Sequence, residues 1–273
     1  MVKMTVDGRT VEVRENMTVL AAARKAGANI PTLCWMKKIN DIASCRVCLV
    51  EADGELVTAC NTAVREGMEV VTTSARVVEA RRANVEALVE SHRYECATCV
   101  RQETCALREL ASAFNVADTG FYLPEAGEWD EAFPLVRDSS KCIKCMRCVA
   151  ECAKVQHCAV WDFTGAGPNL RVAVRDGLPI DAAGCALCGQ CITHCPTGAL
   201  TARDDTGIVL EALRDPDVVT VVQVAPAVRS SWGEGVGLSR EQATQGRMAA
   251  AMRRLGFDHV YDTDFAADLT IME

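Results

Sequence analysis

The chain has 273 residues, 16 cysteines and a formal net charge of −8. That length holds two or three small domains. The acidic balance argues against nucleic acid as the main partner, because phosphate contacts need a basic face, and the cysteines recur as C-x2-C pairs, which is metal-site spacing rather than a disulfide framework.

The N-terminus, MVKMTVDGRTVEVRE, alternates apolar and polar residues. It has no basic region followed by an apolar one, so no signal peptide is expected. Residues 3 to 15 read as a hairpin turning at Asp7-Gly8, a strong hairpin dipeptide. Thr18 is placed to cap a helix through Ala21, Ala22 and Ala23 that closes at Gly27. A loop with Pro31 and Cys34 follows, then a second hairpin, RVCLVEADGELVTAC, turning at Asp53-Gly54, and a short strand, MEVVT. Hairpin, helix, loop, hairpin, strand is the order of a β-grasp domain, expected over 1–78.

Within it lie Cys34, Cys45, Cys48 and Cys60, at spacings x10, x2 and x11. Four thiolates with one C-x2-C pair suit a [2Fe–2S] cluster. The first gap is longer than the plant-type C-x4-C. Structural zinc also takes four cysteines, but its ligands usually form two close pairs.

Ser74 opens a helix to about Ser91, with Val77, Val78, Ala80, Ala83, Val85, Ala87, Leu88 and Val89 spaced for an apolar face. The stretch SHRYECATCVRQETC comes next. It offers Cys96, Cys99 and Cys105 with no fourth thiol nearby, but His92 stands four residues ahead of Cys96. At a helix end the imidazole can fold back over a cube, as histidine replaces cysteine in Rieske centres. His92 is therefore expected as the fourth ligand. A second helix, CALRELASAFN, closes the helical segment 79–120, and 117–137 reads as a linker.

Residues 138–205 contain an internal repeat. Cys142, Cys145, Cys148 and Cys152 are matched, 43 residues on, by Cys185, Cys188, Cys191 and Cys195-Pro196. This is the two-cluster ferredoxin run, C-x2-C-x2-C-x3-C-P, whose fourth cysteine serves the other cluster. Cys142, Cys145, Cys148 and Cys195 are expected to hold one [4Fe–4S] cluster; Cys185, Cys188, Cys191 and Cys152 the second. Ala153 stands where the first run would have proline. The sixteenth cysteine, Cys158, is then spare and reads as a small buried hydrophobe beside these clusters. His157, His194 and His259 read as non-ligands. The expected cofactors are one [2Fe–2S] and three [4Fe–4S] clusters.

In 206–273, LEALRD reads as helix, DVVTVVQVAP as a buried strand, REQATQGRMAAAMRRLG as a helix capped by Ser239 and stopped by Gly256, and DHVYDTDF as a strand. That is a βαβ pattern. The nearly apolar run at 218–228 is too short to span a bilayer. GEGVG at 233–237 fails as a dinucleotide motif, since Leu238 takes the sixth position. The whole chain is expected to be α+β and multidomain, with no catalytic residue assigned, and cytoplasmic, where thiolates stay reduced.

These four ligand sets in this order, and above all H-x3-C-x2-C-x5-C from His92 to Cys105, resemble the N-terminal accessory region of multi-cluster [FeFe]-hydrogenases. The first three sets alone are also similar to the large iron–sulfur subunit of complex I and of NAD-linked formate dehydrogenases, a reading with no hydrogen chemistry. VVQVAPAVRSSWGEGVG and RRLGFDHVYDTDFAADLTIME resemble the opening of the hydrogenase catalytic domain. In that family further downstream cysteine motifs hold the catalytic H-cluster. No cysteine follows Cys195, so 206–273 is expected to be a partial α/β segment without H-cluster ligands, from a truncated hydrogenase or a variant lacking the hydrogen site. The resemblance implies electron transfer, with a flavin-bearing NAD(P)H-oxidising subunit, ferredoxin, or both, as partners. Uncovered strand edges in the last segment also point to a hetero-oligomeric complex.

Overall fold

The computed structural model describes residues 1–117 and 129–273; residues 118–128 of the expected linker lie outside the described residues. The chain forms two compact units, 1–203 and 204–273.

The first unit begins with β1 (Val2–Val6) and β2 (Arg9–Val13), paired antiparallel in full register. Asp7 and Gly8 both take positive φ, the two-residue turn whose twist matches the flanking strands. Helix α1 (Val19–Lys25) is capped by Thr18, whose hydroxyl accepts from Ala21 N–H at 3.3 Å. The second hairpin is β3 (Leu49–Ala52) and β4 (Glu55–Thr58), turning at Asp53-Gly54. With β5 (Glu69–Val71) these strands make one sheet in the order β2-β1-β5-β3-β4, in which β1 and β5 run parallel. Met4, Leu20, Ile30 and Met68 fill the space between sheet and α1. Each fully buried side chain of this kind contributes about 1.5–3 kcal/mol. Cys48 and Cys60 sit in the same core.

Helix α2 (Ala75–Glu90) is capped by Ser74 as expected. Its buried face is Val77, Arg81, Val85 and Val89, one residue per turn. The expected stripe was broader; Val78 is exposed, and a charged residue stands in phase with the three valines. Helix α3 (Ala106–Ala113) packs back on α2. The two helices share their core with other parts of the unit. Val85, Val89, Leu107 and Ala111 pack with Leu33, Cys34, Cys45 and Val47 from one side and with Ile143 and Cys145 from the other.

The repeat follows. Helices α4 (Arg147–Lys154) and α5 (Gln190–His194) each start from a left-handed residue, Met146 and Gly189. Lys144 and Leu187 are left-handed too, so the 43-residue period of the cysteines recurs in the backbone. Strands β6 (Leu135–Arg137) and β9 (Leu200–Ala202) pair antiparallel, and β7 (Trp161–Thr164) pairs with β8 (Arg171–Val174).

The second unit has α6 (Thr206–Ala212), β10 (Val221–Val224), α7 (Pro226–Ser231), α8 (Gln245–Leu255), β11 (His259–Asp262) and α9 (Thr263–Met272). β10 and β11 are parallel, as the βαβ pattern requires. Three expectations are corrected here. The cap of α8 is Thr244, which accepts from Arg247 N–H at 3.3 Å; Ser239 instead anchors a turn through Gln242 and Ala243. DHVYDTDF is strand only to Asp262, because the Asp262 side chain caps α9. The β10 run is not a buried strand: Val218, Val219 and Val221 are exposed, and only Thr220 and Val224 are buried. Among the described residues no helix is long and apolar enough to cross a membrane.

Candidate metal centres

Cys34, Cys45, Cys48 and Cys60 are all buried, on loops held by the first sheet. They fall into two interacting pairs. The Cys45 thiol donates to Cys34, which draws Cys34 down to about 6 and holds the Cys45 proton far above its usual range. Cys60 does the same for Cys48, which falls to about 7. Cys34 N–H donates to Cys45 Sγ at 3.4 Å. Left-handed Ala43 and Arg46 turn the loop, and the N–H groups of Ser44 and Val47 face Cys34 and Cys45. Backbone donors around sulfur are what a thiolate-held cluster needs.

His92 closes the turn after α2, its N–H donating to Val89 O at 3.0 Å. The ring is 4% exposed. Nδ1 lies 3.0 Å from Lys141 O, next to Cys142. An Nδ1–H donated to a carbonyl fixes the tautomer in which Nε2 carries the lone pair, the usual second partner of a metal-bound histidine. Cys96 begins a one-turn 3-10 helix, and Cys105 stands at the N-cap of α3. Burial pushes the Cys105 thiol up, the N–H groups of Leu107 and Arg108 draw it back, and Cys96 and Cys99 are near enough to raise it further. Arg101 clamps this segment to the second run, donating to Ile192 O at 2.7 Å and Thr193 O at 3.3 Å. Gly198 sits beneath it with φ +72; a Cβ there would meet Arg101 Cγ at 3.1 Å and Cys99 Sγ at 3.5 Å.

The eight cysteines of the repeat divide between two cavities. One is lined by Cys142, Cys145, Cys148 and Cys195, with Pro196 and Thr197. The other, of about 220 Å³, is lined by Cys152, Cys185, Cys188 and Cys191, and by Cys158. The fourth cysteine of each run thus faces the other run's cavity. Trp161 is part of both walls. Burial raises Cys145 to about 12 and Cys191 to about 11, and the Trp161 side chain donates to Cys191 and offsets part of that. Cys188 is exposed. Cys158 is only half-buried, not the buried hydrophobe expected, and its thiol donates to Gln156 O at 3.4 Å. His194 pairs with Glu151, Nε2 to Oε2 at 3.6 Å.

The thiols of the repeat line cavity walls, an arrangement suited to a core of several irons.

Two residues were not singled out from sequence. Asn40 is 1% exposed, and its Nδ2 donates both to Cys34 O at 2.8 Å and to Cys145 O at 2.9 Å. One amide nitrogen thus ties the first cysteine set to the third. In the Asn40→Leu variant both carbonyls lose their donor, at roughly 1–3 kcal/mol each. Thermal loss of visible absorbance from the metal-loaded chain is therefore expected at a lower temperature than in the native chain, and an unchanged midpoint would show the bridge to be idle. The other is Arg81, whose place among three valines was the available signal.

Residues 1–75 match the family described as "2Fe-2S iron-sulfur cluster binding domain", 81–119 "NADH-ubiquinone oxidoreductase-G iron-sulfur binding region", 137–199 "4Fe-4S dicluster domain", and 218–273 "Iron only hydrogenase large subunit, C-terminal domain". The chain is 43% identical over 282 residues to the NADP-reducing hydrogenase subunit HndD of Solidesulfovibrio fructosivorans, covering 100% of this chain and 48% of that protein. It is 33% identical to iron hydrogenase 1 of Clostridium pasteurianum, over 98% of this chain and 48% of that one. The mitochondrial NADH-ubiquinone oxidoreductase 78 kDa subunit of Candida albicans is 32% identical over 74% of this chain and 28% of its own length. The chain thus spans about half the length of HndD and of iron hydrogenase 1. Among solved structures, an NAD+-reducing [NiFe]-hydrogenase in the H2-reduced state shares the fold, with a TM-score of 0.66 at 24% identity, covering 89% of this chain and 99% of that one. The cysteine-rich segments are iron–sulfur domains, of both the [2Fe–2S] and the [4Fe–4S] type.

Proposed function

We propose that this chain, which has the domain series of the N-terminal iron–sulfur region of multi-cluster hydrogenases, relays single electrons. Cys34, Cys45, Cys48 and Cys60 of the β-grasp domain hold a [2Fe–2S] cluster. His92, Cys96, Cys99 and Cys105 of the helical domain hold a [4Fe–4S] cluster. Cys142, Cys145, Cys148 and Cys195 hold the next, and Cys152, Cys185, Cys188 and Cys191 the last. The domains run 1–78, 79–120, 138–205 and 206–273. When bound, these groups supply reversible one-electron chemistry.

The protein's own part is to hold, space and insulate. The observation that carries the reading is a shared core: Cys34 and Cys45, Cys105, and Cys145 belong to three different sets yet pack in one apolar cluster. Asn40 adds a direct bridge from Cys34 to Cys145. The His92 set meets the same third set through Lys141, beside Cys142, and reaches the fourth through Arg101 on Ile192 O, beside Cys191. Two sets therefore converge on the Cys142 cavity, and Trp161 separates that cavity from the Cys185 one. The order supports two inputs that join before a common exit, toward the exposed Cys188 side. The inputs fit a flavin-bearing NAD(P)H-oxidising subunit and a ferredoxin, in a hetero-oligomeric cytoplasmic complex. The match of 218–273 favours a hydrogen-converting enzyme over the NADH-ubiquinone type as the whole. That segment contains no cysteine, so any hydrogen site draws its thiolates from elsewhere.

Reconstituted chain is expected to contain about 14 irons and 14 acid-labile sulfides, the sum of one two-iron and three four-iron clusters. Zinc near four per chain, without sulfide, ends this reading.

A further inference from the structure

The stripe that α2 buries is Val77, Arg81, Val85 and Val89. A guanidinium that is 4% exposed occupies a position periodicity gives to an aliphatic residue. Nε donates to Leu49 O at 2.8 Å, one residue past Cys48. Nη2 is buried, with no hydrogen-bond acceptor among the described residues. Arginine stays protonated in proteins, and a charge leaves water only against an opposing charge. Burial works against this cation; the groups that offset it are Cys48 and Asp7. The Asp7 carboxylate also accepts from Thr72 N–H at 2.7 Å and from its hydroxyl at 2.6 Å. Cys48, in the set with Cys34, Cys45 and Cys60, is the anion beside the carbonyl that the arginine holds.

We propose that Arg81 is a positioning residue for that set: a fixed positive charge, delivered by the helical segment, that steadies the Cys48 loop, directs its unspent donor to the sulfurs and raises the reduction potential of the centre they hold. The proposal rests on reading those four cysteines as the [2Fe–2S] ligands. Reduction adds one electron, and no proton, to a centre that thiolates and sulfides already make anionic. A neighbouring cation therefore stabilises the reduced form more than the oxidised one, and hydrogen bonds to sulfur act in the same direction. The same helix ends at the turn bearing His92, so one rigid rod fixes a charge beside the first set and the ring of the second.

The test is a redox titration of the full, cluster-loaded chain followed by electron paramagnetic resonance. In Arg81→Gln the two-iron signal is expected at a potential at least 59 mV lower, a tenfold fall in the reduced-to-oxidised ratio at fixed potential. The four-iron signals should stay in place. Arg81→Lys keeps the charge and should stay close to the native value, a split that a packing role would not produce. Native potential in Arg81→Gln, or equal shifts in both variants, overturns the proposal. Should Arg81→Gln fail to fold, the native chain grown on arginine labelled with nitrogen-15 in the guanidinium alone decides, since Arg46 of the cysteine loop then keeps an unlabelled backbone and an exposed side chain: the reduced two-iron centre must show hyperfine coupling to a guanidinium nitrogen, and no coupling overturns the proposal. A native chain with no two-iron signal at all sinks the site reading instead.

Discussion

Cys195→Ala should remove the centre held by Cys142, Cys145 and Cys148, not the one held by its sequence neighbours Cys185, Cys188 and Cys191. About four irons per chain are expected to disappear, since a thiolate-held cluster and its site form together. The reason is the crossing of the two runs: Cys195 lines the Cys142 cavity, and Cys152 lines the Cys185 cavity. A single variant does not distinguish crossed from uncrossed ligation, but a double one does. With crossing, Cys188→Ala and Cys195→Ala strike different centres, and the double variant loses about eight irons. Without it, both strike the same centre and the loss stops at about four. Iron and sulfide analysis with the two four-iron resonance signals reads the difference, and a double variant that keeps one of those two signals rules out the crossed assignment.

His92→Cys is expected to keep its cluster but lower that cluster's potential, on the order of 100 mV or more, by the logic that separates histidine-ligated from all-cysteine two-iron centres. A thiolate adds a negative charge that neutral imidazole does not. His92→Ala removes the ligand altogether and leaves Lys141 O without the 3.0 Å partner it has in Nδ1. Cluster loss at this site should follow, with the other three retained. An intact set of signals at native potentials in His92→Ala would make the imidazole a packing residue, and the helical segment would then need another fourth ligand.

What the chain displays locally was readable. Asp7-Gly8 and Asp53-Gly54 set hairpin turns because both residues of each pair take positive φ. Thr18 and Ser74 cap their helices through a hydroxyl three residues ahead of the N–H it accepts. The 43-residue period of the cysteines is likewise a local signal, reinforced by left-handed residues at matched places. Ser239 misled because it begins a turn that resembles a helix start, while Thr244 closes that turn and does the capping. The β10 valines misled because an apolar run announces a strand without saying which face is covered. What Asn40 and Arg81 hold was invisible for a different reason. The carbonyl that Asn40 holds in Cys145 is 105 residues away, and the one that Arg81 holds is 32 away. Only the folded chain brings such partners together.

Each cavity of the ferredoxin-like segment draws its cysteines from both arms of the duplication. With ligands divided in that way, neither arm would carry a complete set, and neither would mature ahead of the other. Loading either cubane would cross-link both arms, drawing α4 and α5 together like a staple. Removal of a whole arm would then cost both centres, and a mutational pathway that trims the pair down to a single-cubane protein would first have to restore a local thiolate.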